Sequence, residues 1–233
     1  MNPTDRMRPR QLSEVVGQAA ARALERFARA PYPECFLLIG PGGTGKTASA
    51  FALAAELGCV DSQGNMAEWT GCFGISSSKL TIERATELFE VQLWRRPLYG
   101  NGWKVVVIEE FESVVSDSVR KYLKTALDKE AGNLPPKTVV VATSNKIVGM
   151  ETWLLQRFEK LSYDSGPAFA QAAQERLGEL WASVFPALDL PGYWLHWGWE
   201  GEHFSMRVAL REMIRHAGLI HAGLIGGKVA VEV

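Results

Sequence analysis

Only three cysteines, Cys35, Cys59 and Cys72, occur in the 233 residues, and no two of them stand in a Cys-x-x-Cys spacing. So small and scattered a set excludes a disulfide scaffold and a cysteine-based zinc module, and it predicts reduced thiols. An excess of charge of either sign is also missing: 25 Lys and Arg stand against 26 Asp and Glu, for a net charge of −1. No global positive field therefore points to nucleic acid, and any contact with DNA has to come from a local patch. The amino terminus has no apolar signal core, and no apolar run approaches the ~18 residues needed to span a bilayer. A cytoplasmic protein with no membrane contact is expected. Repeats and low-complexity segments are lacking too. His196, His203, His216 and His221 have no metal-ligand spacing to carboxylates or cysteines, so structural roles are expected for them. What the chain does have is 47% hydrophobic residues, enough to bury one good α/β core plus a small second module.

The most informative stretch is Gly40-Pro41-Gly42-Gly43-Thr44-Gly45-Lys46-Thr47. It directly follows the apolar run Cys35-Phe36-Leu37-Leu38-Ile39 and precedes a run of helix formers from Ala48 to Leu57, which Gly58 is placed to end. This is the spacing of a phosphate-binding loop. The glycines let backbone N–H groups curl around phosphate oxygens, and the helix opening at Ala48 aims its positive end at the same anion. Gly40 to Ala48 are predicted to line the nucleotide, with Lys46 on the β and γ phosphates and the Thr47 hydroxyl on Mg²⁺. A nucleoside triphosphate is the predicted ligand, with ATP and Mg²⁺ as the expected pair.

A second apolar run, Lys104-Val105-Val106-Val107-Ile108, ends in Glu109 and Glu110 and looks like a Walker B motif. In that role Glu109 supports Mg²⁺, and Glu110 orients and polarises the attacking water as a general base does. Asp is usual at the first position. Glu109 is one methylene longer, which bears on metal geometry and on turnover rate.

Strands are predicted at Cys35 to Ile39, Trp103 to Ile108 and Thr138 to Ala142, all nearly continuous in apolar residues, as strands buried on both faces should be. Helical spacing appears over Thr81 to Trp94 (Ile82, Ala85, Phe89, Leu93) and over Ser116 to Lys129 (Val119, Leu123, Leu127). The alternation predicts a doubly wound parallel α/β sheet. Asp164-Ser165-Gly166-Pro167 is a breaker, so we place an α/β domain at 1–165 and a small helical domain at 166–233. The second domain is expected to hold helices at Ala168 to Ser183 and Ser205 to Ala217. Between them lies a Trp-rich connector from Tyr193 to Trp199, expected as domain core or partner surface.

Across most of its length the chain resembles the clamp-loader ATPases of the AAA+ class, namely the replication factor C small subunits and the bacterial polymerase III gamma subunit. Six segments carry the likeness in order. Besides the two Walker-type motifs, Arg8-Pro9-Arg10-Gln11-Leu12-Ser13-Glu14-Val15-Val16-Gly17-Gln18 is similar to the family's adenine-wrapping segment, which implies adenine contacts for Arg8 and Val16. Thr143-Ser144-Asn145 resembles sensor 1, which implies that Asn145 meets the γ-phosphate or the water. Gln156-Arg157-Phe158 stands where the family has Ser-Arg-Cys, which implies that Arg157 acts in trans in a neighbouring subunit's site. Ser205-Met206-Arg207 resembles sensor 2, which implies that Arg207 reaches the γ-phosphate from a lid. Ordinary roles compete with each of these: a strand-end turn for Asn145, a surface ion pair for Arg157 and a helix-face cation for Arg207. Lys79, Arg84, Arg95 and Arg96 fall in a stretch from which such proteins approach DNA, and equally suit a solvated face.

The resemblance implies catalysis by Lys46, Glu110, Asn145, Arg157 and Arg207, homo- or hetero-oligomeric AAA+ neighbours, and action on DNA or a DNA-bound protein. The family's helical collar is expected to be lacking, since the sequence stops soon after the lid. The alternative is a nucleotide-gated scaffold that polymerises and recruits another protein, with slow or no hydrolysis.

Overall fold

A computed structural model describes residues 7–114 and 116–221 of the chain. The apolar, β-branched last few residues of the sequence, which suggest a strand, lie outside the described residues. Five strands form one sheet: β1 (Glu34–Ile39), β2 (Cys72–Ser76), β3 (Lys104–Glu109), β4 (Thr138–Ser144) and β5 (Glu159–Ser162), in the order β2-β3-β4-β1-β5. Every pairing in it is parallel, so the carboxyl ends of all five strands line one edge. The central strands β1, β3 and β4 are almost wholly buried, which is why they read as unbroken apolar runs. Period two survives in where the side chains go. Cys35, Leu37, Val106, Ile108, Val140 and Ala142 enter one core, while Phe36, Leu38, Val105, Val107, Val139 and Val141 enter the other.

Helices α1 (Ala19–Arg29) and α2 (Lys46–Glu56) cover the second of these faces, and α3 (Ile82–Glu90) and α4 (Asp117–Ala126) cover the first. Thr81 caps α3 by accepting the Arg84 N–H at 3.2 Å, and Ser116 caps α4 by accepting the Val119 N–H at 3.4 Å. Of the apolar spacing read in the sequence, Ala85 and Phe89 in α3 and Val119 and Leu123 in α4 are buried, joined by Leu88 and Ala126, while Ile82 is only half-buried. The stretch expected to be one helix from Thr81 to Trp94 breaks at Val91 and continues as a 3₁₀ turn at Gln92–Trp94.

Helix α1 and strands β2 and β5 were not read in the sequence, although α1 sets Ala20, Leu24 and Phe27 at helical spacing. Helix α1 starts at Gln18 with no side-chain cap. Strand β2 is interrupted by Gly74, and β5 is a four-residue, largely exposed edge strand that pairs with β1 and packs Leu161 against the second core. The three cysteines are buried free thiols, and burial raises each to about 12, so all stay protonated near neutral pH.

After the short helix α5 (Thr152–Leu155) and β5, the chain enters α6 (Pro167–Val184) and α7 (Met206–His221). Between them the Trp-rich connector forms a 3₁₀ turn at Trp194–His196 and leads into an unforeseen antiparallel hairpin, β6 (Trp199–Glu200) with β7 (His203–Phe204). These elements share a third core of Phe169, Leu177, Trp181, Trp197, Phe204 and Met213, which Met7 joins from the amino-terminal segment. The Trp-rich connector divides its rings: Trp197 is buried in that core, and Trp199 remains 38% exposed.

Candidate functional site

The loop Gly40–Gly45 leaves the carboxyl end of β1 and passes directly into α2. Because β1 lies beside β4, and β4 beside β3, the ends of those two strands stand next to the loop; Ile39 pairs with Ser144, and Ile108 with Ala142. Crevices at this edge are where open α/β sheets bind ligands. Gly45 caps α2 in the left-handed region at φ 96°. Two other glycines are required by close approach as well as by any ligand. A Cβ on Gly40 would fall 2.3 Å from the Tyr163 carbonyl oxygen, and one on Gly43 would fall 2.0 Å from the Ser205 hydroxyl. The Gly43 carbonyl also accepts the Met206 N–H at 3.1 Å, so the first turn of α7 is bonded to the loop.

Lys46 is 8% exposed, and its ammonium donates to the Gly40 carbonyl at 2.5 Å, the Pro41 carbonyl at 2.6 Å and Asn145 Oδ1 at 3.2 Å. Burial lowers its pKa to about 8; Glu112 opposes the shift, and Arg207 adds to it. Lys46, Asn145 and Arg207 thus come from α2, the end of β4 and the first turn of α7 into one electrostatic neighbourhood. Two cations and a helix N-terminus converge there, an arrangement that favours an anion. Glu112 joins them by accepting the Asn145 main-chain N–H at 2.9 Å.

Glu109 ends β3 half-buried, and Glu110 follows it exposed. Glu110 sits at φ 56°, ψ 47°, a left-handed conformation that costs a non-glycine residue on the order of 1–3 kcal/mol and collects at functional sites. Its carbonyl is fixed by the Ser77 hydroxyl and the Ser113 N–H, both at 2.7 Å. Thr47 is half-buried in the first turn of α2. A hydroxyl with a carboxylate suits Mg²⁺, which keeps waters and takes further oxygens from phosphates. Among the described residues no cluster of three or more His, Cys, Asp or Glu forms a metal cage.

The amino-terminal segment is stitched to three parts of the fold. The Leu12 N–H donates to Glu56 Oε1 at 2.7 Å at the end of α2. Gln18 grips the main chain of Asp164, donating to its carbonyl at 2.8 Å and accepting its N–H at 2.9 Å. Val16 packs against the third core, and a Cβ on Gly17 would lie 3.1 Å from the Phe169 ring. Arg8 is exposed near the start of this segment.

Among the described residues Arg157 has no hydrogen bond or ion pair with Lys46, Asn145 or Arg207. Its guanidinium pairs with Asp128 beyond the end of α4, Nη2 to Oδ2 at 2.7 Å, with both side chains about three-quarters buried. The basic stretch between the Walker-type motifs does not form one patch. Lys79 ends the 3₁₀ turn after the carboxyl end of β2, Arg84 is paired with Glu68 and Glu87, and Arg95 and Arg96 lie on the chain leading to the amino end of β3. Glu112 escaped the sequence reading, as did the grip of Gln18 on Asp164. Glu112 had a signal, as a third acid in the Glu-Glu-Phe-Glu run.

A family model described as the ATPase family associated with various cellular activities (AAA) matches residues 36–164. A replication factor C small subunit from Archaeoglobus fulgidus is 29% identical over 115 residues, 49% of this chain and 34% of that one. The match therefore spans about a third of that relative's length. Among solved structures, the Thermotoga maritima RuvB Holliday junction branch migration motor superposes with a TM-score of 0.67 at 23% identity, over 93% of this chain and 67% of that one. A Thermotoga maritima protein related to the DNA polymerase III gamma subunit gives 0.56 at 15% identity, over 86% of this chain and 61% of that one.

Proposed function

This chain belongs to the AAA family of ATPases, and from that premise we propose that it binds ATP with Mg²⁺ at the Gly40–Thr47 loop, hydrolyses it, and assembles with like subunits to act on DNA or a DNA-bound protein. The observation that carries the reading is the bonding at that loop of Lys46 to Asn145 and of Gly43 to the first turn of α7, which holds Arg207. In this reading the chain divides into a nucleotide-binding α/β domain, 1–165, and a helical lid, 166–233, with Gln18 holding the Asp164 junction between them. The separate core of α6 and α7 supports that division.

Gly40 to Ala48 wrap the phosphates, with Lys46 and Arg207 as the facing cations, and Arg8 and Val16 lie toward the adenine. Thr47 and Glu109 hold Mg²⁺, which when bound neutralises phosphate charge. Glu110 orients a water and takes its proton, and Asn145 fixes that water or the γ-phosphate. Arg157 is donated to a neighbouring subunit, and hydrolysis drives release from the target. The described residues contain no helix long and apolar enough to cross a membrane, and a cytoplasmic setting accords with a DNA-directed role.

Mg²⁺-ATP at a hundredfold excess over its Kd should stabilise the fold by about 2.7 kcal/mol, and Lys46→Ala should abolish that shift in thermal melting. Glu110→Gln should keep the shift while phosphate release falls by about 10²- to 10⁴-fold. An ATP shift that survives Lys46→Ala refutes the site.

A second reading, a nucleotide-gated scaffold that recruits another protein, is favoured by one feature. Trp69, Trp94, Leu98 and Tyr99 are exposed close to Arg95 and Arg96, with the Trp69 and Tyr99 rings 5.2 Å apart, around the amino ends of β2 and β3 and away from the phosphate loop. Phosphate release measured with and without DNA separates the two, since a scaffold gains no turnover from DNA.

A further inference from the structure

The acid run after β3 has a third member, Glu112, to which neither the motifs nor the family likeness assigns a task. It lies in the 3₁₀ turn Phe111–Ser113, which is anchored to the core by the buried Phe111 ring, 5.3 Å from that of Phe158. From this fixed base Glu112 Oε1 accepts the Asn145 N–H at 2.9 Å, across 33 residues of sequence. Such a charge-assisted bond to the main chain is among the stronger hydrogen bonds. The loop it holds is exposed from Asn145 to Gly149, and its other anchor near β4 is the Ser144 hydroxyl, which bonds both polar main-chain groups of Lys146. Glu112 Oε2 is buried with no hydrogen-bond partner among the described residues. A desolvated carboxylate oxygen without a hydrogen bond is costly to a fold, a cost that the neighbouring Lys46 charge offsets in part.

We propose that Glu112 is the positioning residue for Asn145: it fixes the main chain at the end of β4 so that the Asn145 amide stands beside Lys46, and it thereby sets the preference for a triphosphate over a diphosphate. The physical reason is leverage. Asn145 is exposed and its Oδ1 is a single acceptor on Lys46 at 3.2 Å. An unsupported loop would let that amide wander, and a group that reads the third phosphate must be held within a fraction of an ångström. The proposal rests on the nucleotide reading of the site and goes beyond it by naming what supports Asn145.

The test is calorimetric binding of ADP and of a non-hydrolysable ATP analogue, each with Mg²⁺, to the full chain. The proteins are wild type, Glu112→Ala, Glu112→Gln, Asn145→Ala and the double variant Glu112→Ala with Asn145→Ala. Glu112→Ala should lose on the order of tenfold of the triphosphate preference while ADP affinity stays within about twofold. Glu112→Gln keeps an oxygen acceptor for the Asn145 N–H and should retain most of the preference. The double variant should lose no more than Asn145→Ala alone, because the two residues act as one unit. Where Glu112→Ala does not fold, Glu112→Asp, which withdraws the acceptor by one methylene, serves in its place. An unchanged preference, losses that add in the double variant, Glu112→Gln falling as far as Glu112→Ala, or ADP affinity falling as far as that for the analogue overturns the proposal. A wild type that binds both nucleotides alike also overturns it. A wild type that binds neither overturns the reading of the site as well, so the two failures are told apart.

Discussion

Gly40 and Gly42 are two residues apart in one motif, yet their surroundings differ completely. A Cβ at Gly40, where φ is +157°, would meet the Tyr163 carbonyl oxygen at 2.3 Å, and Tyr163 cannot retreat freely because its own N–H donates to the Ile39 carbonyl at 2.7 Å. At Gly42 a Cβ would meet nothing within 4 Å. Gly40→Ala is therefore expected to cost about 2–4 kcal/mol in urea unfolding, whereas Gly42→Ala should stay within about 0.5 kcal/mol. Equal losses at the two positions would show that the motif, not the packing, sets the cost. The spacing of the loop was legible in the sequence, because phosphate binding needs those residues contiguous. The reason for glycine at position 40 was not, since the clashing atom comes from a residue more than a hundred positions away.

Among the elements, α6 and α7 are tied together by aromatic packing around His216. The Tyr193 hydroxyl lies 2.8 Å from His216 Nδ1, and the rings of Trp181, Trp197 and Tyr193 stand 5.5–6.0 Å from the imidazole. His216 is buried, and burial lowers its pKa below the ordinary 6.5. The sign follows from linkage. The unfolded chain binds the His216 proton more readily than the folded one, so this contribution to stability is present above about pH 6.5 and is lost as pH falls from there toward the folded value. Melting temperature should drop between pH 7.5 and 5.5 in wild type, and less steeply in His216→Gln, measured by circular dichroism in matched buffers. Parallel profiles would remove His216 from the account. The helices themselves lie within a few residues of where they were expected, but the hairpin at Trp199–Phe204 was not foreseen, because a two-residue strand has no periodicity to detect.

For the whole molecule the decisive question is whether the site is completed by a neighbour. Arg157 pairs with Asp128 rather than facing Lys46 in its own chain. Among the described residues Nη2 alone makes that ion pair and Nε is buried without a hydrogen-bond partner, so the guanidinium keeps donors in reserve. If Arg157 serves in trans, Arg157→Ala should bind nucleotide yet lose hydrolysis, an arginine finger being worth on the order of 10³ to 10⁵ in kcat. A Lys46→Ala subunit cannot use its own pocket but still offers Arg157. Mixing the two inactive proteins should restore part of the phosphate release, because some neighbours then pair an intact pocket with an intact finger. Activity that stays at background at every mixing ratio, with co-assembly verified by light scattering, would rule the shared site out. The contact would be heterologous, closing into a ring or running on as a helix.

The sequence by itself determined the phosphate loop, the paired acids Glu109 and Glu110, the buried central strands and the helical character of the tail. Each of these rests on residues within about a dozen positions of one another, and backbone geometry converts such short patterns directly into local structure. Tertiary structure alone decided the strand order β2-β3-β4-β1-β5, the edge strands β2 and β5, the grip of Gln18 on Asp164, the partnership of Glu112 with Asn145 and the separation of Lys79 from Arg95 and Arg96. Those contacts join residues far apart in the chain, and they exist only because a parallel register brings the carboxyl ends of non-consecutive strands to one edge, which no local pattern encodes.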